Sequence, residues 1–211
     1  MFASQNRFSQ TKQVLLAIAF AVSAGVAHAE VKIATFAGGC FWCVEKDFDH
    51  VPGVVKTISG YTGGKAADPT YKTVTRGGSG HREAVQIHYD SNKVSYAQLL
   101  EVFWRSVDPT DSGGQFCDRG ESYTTAVFYA DNAELEAVNK SKAAIDDSGK
   151  LSKAIATRIE PAAKFYNAED YHQDYYKKNP IRYNFYRLSC GRDAKVRDLW
   201  GDEAHRGIRH D

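Results

Sequence analysis

The order of strand-like and helix-like segments between residues 31 and 129 restricts the fold of this chain more than any other feature. Segments rich in β-branched and aromatic residues predict strands, and they alternate with segments whose apolar residues recur at helical spacing. The predicted strands cover 31–36, 54–61, 84–89 and 123–129. With one helix after the first strand and one after the third, the order is β-α-β-β-α-β. This order predicts an α+β fold, a ferredoxin-like two-layer sandwich of an antiparallel sheet and two helices on one face.

Both predicted helices carry boundary signals. The first begins near Cys40 and ends at Pro52. The second begins with Ser95, followed three residues later by Gln98, which is the spacing of a capping box, and it ends before Pro109.

The residues after 129 extend this unit. Asp131 and Glu134 predict a capped third helix that ends near Asp147, and residues 155–160 predict a further strand. The C-terminal fifth is rich in Tyr and charged residues but lacks a clear period, so we expect a long ordered coil that wraps the sheet.

The N-terminal segment has the composition of a secretory signal. Arg7 and Lys12 precede an apolar run over 14–22, and the small residues Ala27 and Ala29 precede Glu30. A basic start, a short apolar centre and small residues at the end are typical of a cleaved signal peptide, here residues 1–29. The alternative is a retained membrane anchor. Cleavage predicts a periplasmic or secreted protein.

Residues 30–211 contain no internal repeat or linker, so they predict a single domain. The chain has 27 basic and 26 acidic residues. A near-neutral charge gives no reason to expect nucleic acid or an anionic membrane as a partner. Since no long amphipathic seam is present, we expect a monomer.

Cys40 is the first candidate for chemistry among the four cysteines, which are Cys40, Cys43, Cys117 and Cys190. It follows a strand and two glycines and begins a helix. Unpaired backbone N–H groups and the helix dipole at that position favour a thiolate, so Cys40 is a candidate nucleophile with a lowered pKa. The alternative for an exported protein is a set of purely structural disulfides.

Trp42 lies beside Cys40 on the helix, away from the apolar stripe and on the side of Lys46 and Asp49. An aromatic ring next to a reactive thiol suggests a platform for an apolar group of a substrate. The alternative is a tryptophan packed beneath a neighbouring loop.

Glu83 has the strand parity of Val85 and Ile87, which predicts that its carboxylate points to the buried side. Burial raises the pKa of a carboxyl group, which suits a proton donor near neutral pH. The alternative is an ordinary ion pair between Glu83 and Arg82 or Arg76.

Several motifs together resemble the A-type methionine sulfoxide reductases. The string Gly39-Cys40-Phe41-Trp42 is the family's signature, and further blocks follow in family order. These are Gly60-Tyr61-Thr62-Gly63-Gly64, Pro69-Thr70-Tyr71, Gly80-His81-Arg82-Glu83-Ala84-Val85, Phe103-Trp104, Asp108-Pro109 and Glu169-Asp170-Tyr171-His172-Gln173. The resemblance covers nearly the whole of residues 30–211 and implies reduction of methionine-(S)-sulfoxide, free or in peptides and proteins.

The resemblance also implies roles for individual residues. The Cys40 thiolate would attack the sulfoxide sulfur while Glu83 protonates the oxygen, and this step would leave a sulfenic acid on Cys40. Tyr71 and Tyr123 match hydroxyls that hydrogen-bond the sulfoxide oxygen.

Three further positions match the substrate pocket of the family. Phe41 and Trp42 would receive the S-methyl group, and Asp118 would help to hold the site. No metal or other cofactor is implied to be bound.

A second cysteine must resolve the sulfenic acid. The family often places it near the C-terminus, which favours Cys190. This chain departs from the commoner pattern because Cys43 stands where many relatives have Gly, and a C-x-x-C disulfide is an alternative. Cys117 is the third candidate, or else a buried bystander beside Asp118. A thioredoxin-like protein is the implied electron donor.

Two other classes of function compete with this interpretation. The motif Cys40-Phe41-Trp42-Cys43 is also typical of thiol–disulfide oxidoreductases, although the strand order and the lack of a cis-proline signal disfavour them. A zinc module with four cysteine ligands would need a second close pair. His172 is expected to form hydrogen bonds rather than to bind metal.

Overall fold

The computed structural model describes Met1 and residues 30–209. The predicted signal peptide, residues 1–29, therefore lies outside the described residues except for Met1. Within the part that is described, no helix is both long and apolar enough to cross a membrane.

The described residues contain eight strands and seven α-helices. The strands are β1 (Val31–Ala37), β2 (Val54–Thr62), β3 (Arg82–Asp90), β4 (Gly114–Gln115), β5 (Asp118–Arg119), β6 (Ala126–Tyr129), β7 (Arg158–Pro161) and β8 (Tyr166–Asn167). The helices are α1 (Phe41–Asp49), α2 (Tyr71–Thr75), α3 (Tyr96–Trp104), α4 (Asn132–Asp147), α5 (Tyr175–Lys178), α6 (Pro180–Cys190) and α7 (Arg192–Trp200).

The main sheet has the strand order β7-β6-β1-β3-β2-β8. Its central strands β6, β1, β3 and β2 are all antiparallel to their neighbours among these four. This is the order that a ferredoxin-like β-α-β-β-α-β unit requires, so the predicted fold class is confirmed. The added strand β7 joins one edge parallel to β6, and β8 pairs with β2 at the other edge.

The core lies between this sheet and the helices α1 and α3. The ring centroid of Phe36, on β1, is 5.5 Å from that of Phe48 on α1 and 5.0 Å from that of Phe103 on α3. One strand residue therefore contacts both helices, which places them on the same face of the sheet. All three rings are fully buried, and each buried ring stabilises the fold by about 2–3 kcal/mol.

The predicted helix caps are present. The Ser95 hydroxyl accepts from the backbone N–H of Gln98, whose side chain accepts from the Ser95 N–H. The Asp131 carboxylate accepts from the N–H of Glu134 at the start of α4. These bonds satisfy N–H groups that a helix leaves unpaired at its start.

The prediction of a C-terminal coil is wrong, because this segment forms α5, α6 and α7. Helix α6 exposes apolar side chains, with Ile181 88%, Phe185 71% and Leu188 80% exposed, while it buries Tyr183 and Arg187. The apolar period of the helix therefore faces solvent and polar side chains face the protein. A search for an apolar buried stripe misses such a helix.

Two smaller differences affect the site. The short helix α2 lies between β2 and β3, where the predicted element order has no helix. Thr70 caps it by accepting from the N–H of Thr73. The predicted strand 123–129 begins only at Ala126, because residues 121–123 form a 3₁₀ turn. Tyr123 therefore lies on a turn.

Candidate active site

Cys40 is the residue that caps α1, directly after the turn that follows β1. Gly39 before it has a φ of +84°, and a Cβ there would lie 2.6 Å from the Cβ of Gln115. Only glycine fits both the conformation and the space. The turn therefore presents Cys40 at the start of the helix, as the sequence predicts.

Arg192, which the sequence analysis missed, holds this turn from the C-terminal segment. Its buried guanidinium donates to the carbonyl oxygen of Gly38 at 3.0 Å and to that of Ser106 at 2.9 Å. No local pattern indicates this contact, because Arg192 lies 154 residues from Gly38 along the chain.

Glu83 lies at the start of β3 and is 1% exposed. Its Oε2 accepts a hydrogen bond of 2.9 Å from the backbone N–H of Phe41, next to Cys40. Burial, assisted by the charge of Asp118, raises the pKa of Glu83 to about 8, despite the Phe41 N–H and a hydrogen bond from Tyr123. At neutral pH this carboxyl group is therefore mostly protonated and can donate a proton.

Arg82 does not form the ion pair with Glu83 that the sequence offers as an alternative. The Arg82 guanidinium instead makes a two-bond contact with Glu160, at 3.0 and 3.2 Å, and donates to the Thr124 hydroxyl. Arg82 thus ties β3 to β7 and leaves the Glu83 carboxyl to face the site.

Two tyrosine hydroxyls meet beside Glu83. Tyr71, the first residue of α2, and Tyr123 are in hydrogen-bonding contact with each other. Burial and the nearby Glu83 raise the pKa of Tyr71 to about 12 and that of Tyr123 further. Both hydroxyls therefore keep their protons and can donate hydrogen bonds. The Tyr71 N–H donates to Glu169 Oε1 at 2.9 Å, which fixes the start of α2.

The pKa of Cys40 differs from the expectation of a helix-lowered value. Cys40 is 6% exposed, and burial, a hydrogen bond with Cys43 and the charges of Cys43 and Glu83 raise its pKa well above the ordinary value. The tertiary structure removes the thiol from water, and this effect exceeds the contribution of the helix N-terminus. The resting state of Cys40 is therefore the thiol.

Of the two thiols Cys40 and Cys43, Cys43 loses its proton more easily. The hydrogen bond from Cys40 lowers the pKa of Cys43 to about 7, and the positive charges of Arg192 and Arg187 add to this effect against burial. Near neutral pH the two sulfurs thus share one proton. Cys40 can become the nucleophile when that proton moves to Cys43.

Trp42 packs among aromatic side chains of the C-terminal segment and also faces the site. Its ring stacks on Tyr175 with centroids 3.7 Å apart, and its Nε1 donates to Nδ1 of His172 at 3.0 Å. Burial lowers the pKa of His172 to about 4, so this imidazole is neutral and can accept. His172 forms hydrogen bonds, as expected.

A cavity of about 40 Å³ brings these groups together. Seven of the eight predicted site residues line it, with one tyrosine that the sequence analysis missed: Cys40, Phe41, Trp42, Tyr71, Glu83, Asp118, Tyr123 and Tyr186. The additional residue, Tyr186, donates from its hydroxyl to Asp118 and is in hydrogen-bonding contact with Cys40. The cavity has room for a small group such as a water molecule or a methyl group.

Cys190, the remaining predicted residue, forms a disulfide with Cys117. Its sulfur lies 4.0 Å from Asp118 Oδ2, so the disulfide borders the cavity. Cys117 is exposed, which corrects the expectation of a buried bystander. Cys40 and Cys43 are free. With two sulfurs bonded to each other, the four cysteines do not offer the four thiolates of a zinc site.

Comparisons with known proteins agree with this geometry. Residues 32–204 match the family model described as peptide methionine sulfoxide reductase. The chain is 55% identical over 182 residues to peptide methionine sulfoxide reductase MsrA 2 of Rhizobium meliloti, covering 86% of this chain and 90% of that protein. It is 52% identical over 170 residues to MsrA of Bacillus licheniformis, covering 81% and 94% of the two chains.

Solved structures of methionine sulfoxide reductases are also similar to this chain. Mxr1 from Saccharomyces cerevisiae in reduced form is similar with a TM-score of 0.66 and 34% identity, covering 72% of this chain and 87% of that one. Methionine sulfoxide reductase A of Corynebacterium diphtheriae is similar with a TM-score of 0.65 and 31% identity, covering 74% and 78%. On its sequence, fold and site geometry, the chain belongs to the peptide methionine sulfoxide reductase family.

Proposed function

We propose that the chain reduces methionine-(S)-sulfoxide, free or in peptides and proteins, with Cys40 as nucleophile and Glu83 as proton donor. The observation that carries this proposal is the buried Glu83 carboxyl group, with a pKa of about 8, bonded to the backbone N–H next to Cys40. A sulfoxide oxygen leaves poorly without a proton, and this carboxyl group holds one at neutral pH.

The reaction follows from the positions of these groups. Cys40 passes its proton to Cys43 and its sulfur attacks the sulfoxide sulfur, while Glu83 protonates the sulfoxide oxygen. The oxygen then moves to Cys40 as the S–O bond to the substrate breaks. One thiol and one sulfoxide become one sulfenic acid and one thioether, which balances atoms and electrons.

The remaining cavity residues hold the substrate. The hydroxyls of Tyr71 and Tyr123 donate hydrogen bonds to the sulfoxide oxygen as its negative charge develops. The apolar faces of Phe41 and Trp42 receive the S-methyl group. Asp118 fixes the Tyr186 hydroxyl that contacts Cys40.

A thioredoxin-like dithiol protein is the electron donor that we propose, with no cofactor bound to the chain. The sulfenic acid is resolved within the chain to a disulfide, and an external dithiol returns the protein to its reduced form. In support, the Cys117–Cys190 disulfide lies at the edge of the cavity and Cys117 is exposed to solvent.

Export and a monomeric state complete the proposal. The sequence of residues 1–29 supports a cleaved signal and a periplasmic or secreted location, in which the donor must also be exported. Mass measurement of the mature chain from fractionated cells tests cleavage, and a product beginning at Met1 in the membrane fraction contradicts it. Analytical ultracentrifugation tests the monomeric state, and we expect the mass of a single chain in solution.

The catalytic assignment is tested with a peptide that carries either epimer of methionine sulfoxide. We expect the wild-type protein to consume the S epimer and the Cys40→Ser variant to consume neither. A matched exposed substitution, Ser112→Ala, should leave turnover at the wild-type level. Reduction of the S epimer by Cys40→Ser at the wild-type rate contradicts the assignment.

A further inference from the structure

The four cysteines form two pairs that differ in depth and in redox state. Cys40 and Cys43 are 6% and 2% exposed, and both are free thiols. Cys117 is exposed, Cys190 is half-buried, and they are joined in a disulfide. The inner pair contains the proposed nucleophile, and the outer pair faces solvent.

Cys43 is placed to form a bond with Cys40. Its backbone N–H donates to the Cys40 carbonyl at 3.1 Å, on the first turn of α1, and the two side chains are in hydrogen-bonding contact. Residues three apart on a helix have Cβ atoms about 5–6 Å apart. A disulfide needs about 3.5–4.5 Å. Cys40 can close this gap because, with a ψ of 118°, it is not held in helical conformation.

The charges around Cys43 favour its reaction. Arg192 and Arg187 face it with positive charge, and Asp47 is the nearby negative group. A thiolate is the form that attacks a sulfenic acid, and the pKa of about 7 makes much of Cys43 available in that form near neutral pH.

The outer pair is built for exchange with an external thiol. Because Cys117 is an exposed residue, an attacking thiolate can approach it from solvent, and Cys190 is then the leaving group. The backbone N–H of Cys117 donates to the Cys190 sulfur at 3.2 Å, which stabilises negative charge on it. The released Cys190 borders the cavity that contains Cys40, because Asp118 contacts both Cys190 and Tyr186.

We propose that Cys43, and not Cys190, resolves the Cys40 sulfenic acid, and that the Cys117–Cys190 pair carries electrons from the external dithiol to the inner pair. The Cys43 thiol displaces hydroxide from Cys40 as water and forms the Cys40–Cys43 disulfide. The reduced outer dithiol then exchanges with this disulfide, so that the inner thiols are restored and the outer disulfide forms. An external dithiol protein reduces the outer disulfide and is itself oxidised to a disulfide.

This proposal rests on the proposed function, and counting the methionine formed separates the two. Fully reduced protein is mixed with excess methionine sulfoxide peptide and no external reductant. Each disulfide formed supplies electrons for one sulfoxide, so the wild-type protein should form about two equivalents of methionine per chain. We expect the Cys117→Ser/Cys190→Ser double variant to form about one equivalent and to end with a Cys40–Cys43 disulfide, identified by peptide mapping.

Cys43→Ser is the decisive variant. We expect about one equivalent of methionine and a persistent sulfenic acid on Cys40, trapped by dimedone. Two results overturn the proposal and leave the proposed function intact. One is a single equivalent with a Cys40–Cys190 disulfide and no dimedone adduct; the other is two equivalents with a Cys117–Cys190 disulfide and a sulfenic acid formed only in the second turnover. If the wild-type protein forms no methionine, the proposed function itself fails.

The order of bond formation gives a second measurement that needs no variant. With about half an equivalent of peptide, rapid acid quenching of the wild-type protein should trap the Cys40–Cys43 disulfide before the Cys117–Cys190 disulfide. Appearance of a Cys40–Cys190 disulfide as the first product contradicts the proposal.

Discussion

The two halves of the active site are held in different ways. Cys40 and Glu83 belong to the sheet and its first helix, and a main-chain N–H links the Glu83 carboxyl group to the residue after Cys40. The C-terminal segment covers the site chiefly through side chains, with Tyr175 stacked on Trp42 and Tyr186 bonded to Asp118. We infer that the first half supplies the reacting groups and that the second half positions them and the substrate.

The largest effect should come from the sheet half. Glu83→Gln removes the proton donor and keeps its shape, so kcat/KM should fall by about 10²–10⁴-fold while KM changes little. Stopped-flow kinetics on the first methionine equivalent measure it. Glu101→Gln, on the outer side of α3, is the matched control and should have no effect. A loss confined to KM would mean that Glu83 only binds substrate.

The pH profile sharpens this prediction. Burial and the charge of Asp118 raise the pKa of Glu83 to about 8, so the acid loses its proton and activity falls about tenfold per pH unit above that value. Below about pH 7 activity also falls, because the Cys40–Cys43 pair then keeps both protons. The alkaline limb should be missing in Glu83→Gln; an unchanged limb would assign it to another group.

The contact between the halves should dominate stability. Arg192→Met leaves the buried carbonyls of Gly38 and Ser106 without their donors, which should lower the free energy of unfolding by about 2–4 kcal/mol and Tm by about 5–10 °C. Calorimetry measures this. Arg197→Met, exposed on the same helix, should change Tm by less than about 1 °C. Equal melting of both variants would show that the turn does not depend on Arg192.

A smaller effect is expected within the covering half. Tyr186→Phe removes the hydroxyl that bonds Asp118 and contacts Cys40, a loss of about 1–1.5 kcal/mol, so the first-turnover rate should fall about tenfold. Tyr176→Phe also removes a hydroxyl that bonds a carboxylate, here Asp49 outside the cavity, and should leave this rate unchanged. The same loss in both variants would point to a general effect on the C-terminal segment.

The smallest effect should be on substrate binding. Tyr175→Leu removes the stacked ring behind Trp42, which is worth about 0.5–1 kcal/mol, so KM for the peptide should rise about two- to fivefold at nearly constant kcat. Phe185→Leu, an exposed ring on α6, is the control. A change in kcat without a change in KM would contradict a role of Tyr175 in substrate binding.

The same division separates what the sequence predicts from what it does not. The strands, the caps and the place of Cys40 follow from local periodicity and from Gly39, and these signals lie within a few residues of the features they predict. Tyr186 and Arg192 reach the site from α6 and α7. The buried face of α6 cannot be predicted from apolar periodicity, because the exposed face is apolar and the buried face carries Arg187.

The predicted lowering of the Cys40 pKa is wrong for a related reason. The start of a helix predicts a lowered pKa, but the cover formed by the C-terminal segment excludes water, and burial reverses the sign. The burial of Glu83, in contrast, follows from strand parity, and the structure confirms it. Long-range contacts thus alter the electrostatics at a position that local sequence places correctly.

The hydrogen bond between the Phe41 N–H and Glu83 has one more consequence. The first amide of a helix normally has no partner within the helix and exchanges its hydrogen with solvent quickly. Here that amide belongs to a fully buried residue and is bonded to a buried carboxyl group. We expect the Phe41 amide hydrogen to exchange with deuterium as slowly as the amides of the central strands. Its exchange rate then reports whether Cys40 and Glu83 separate during local opening of the native protein.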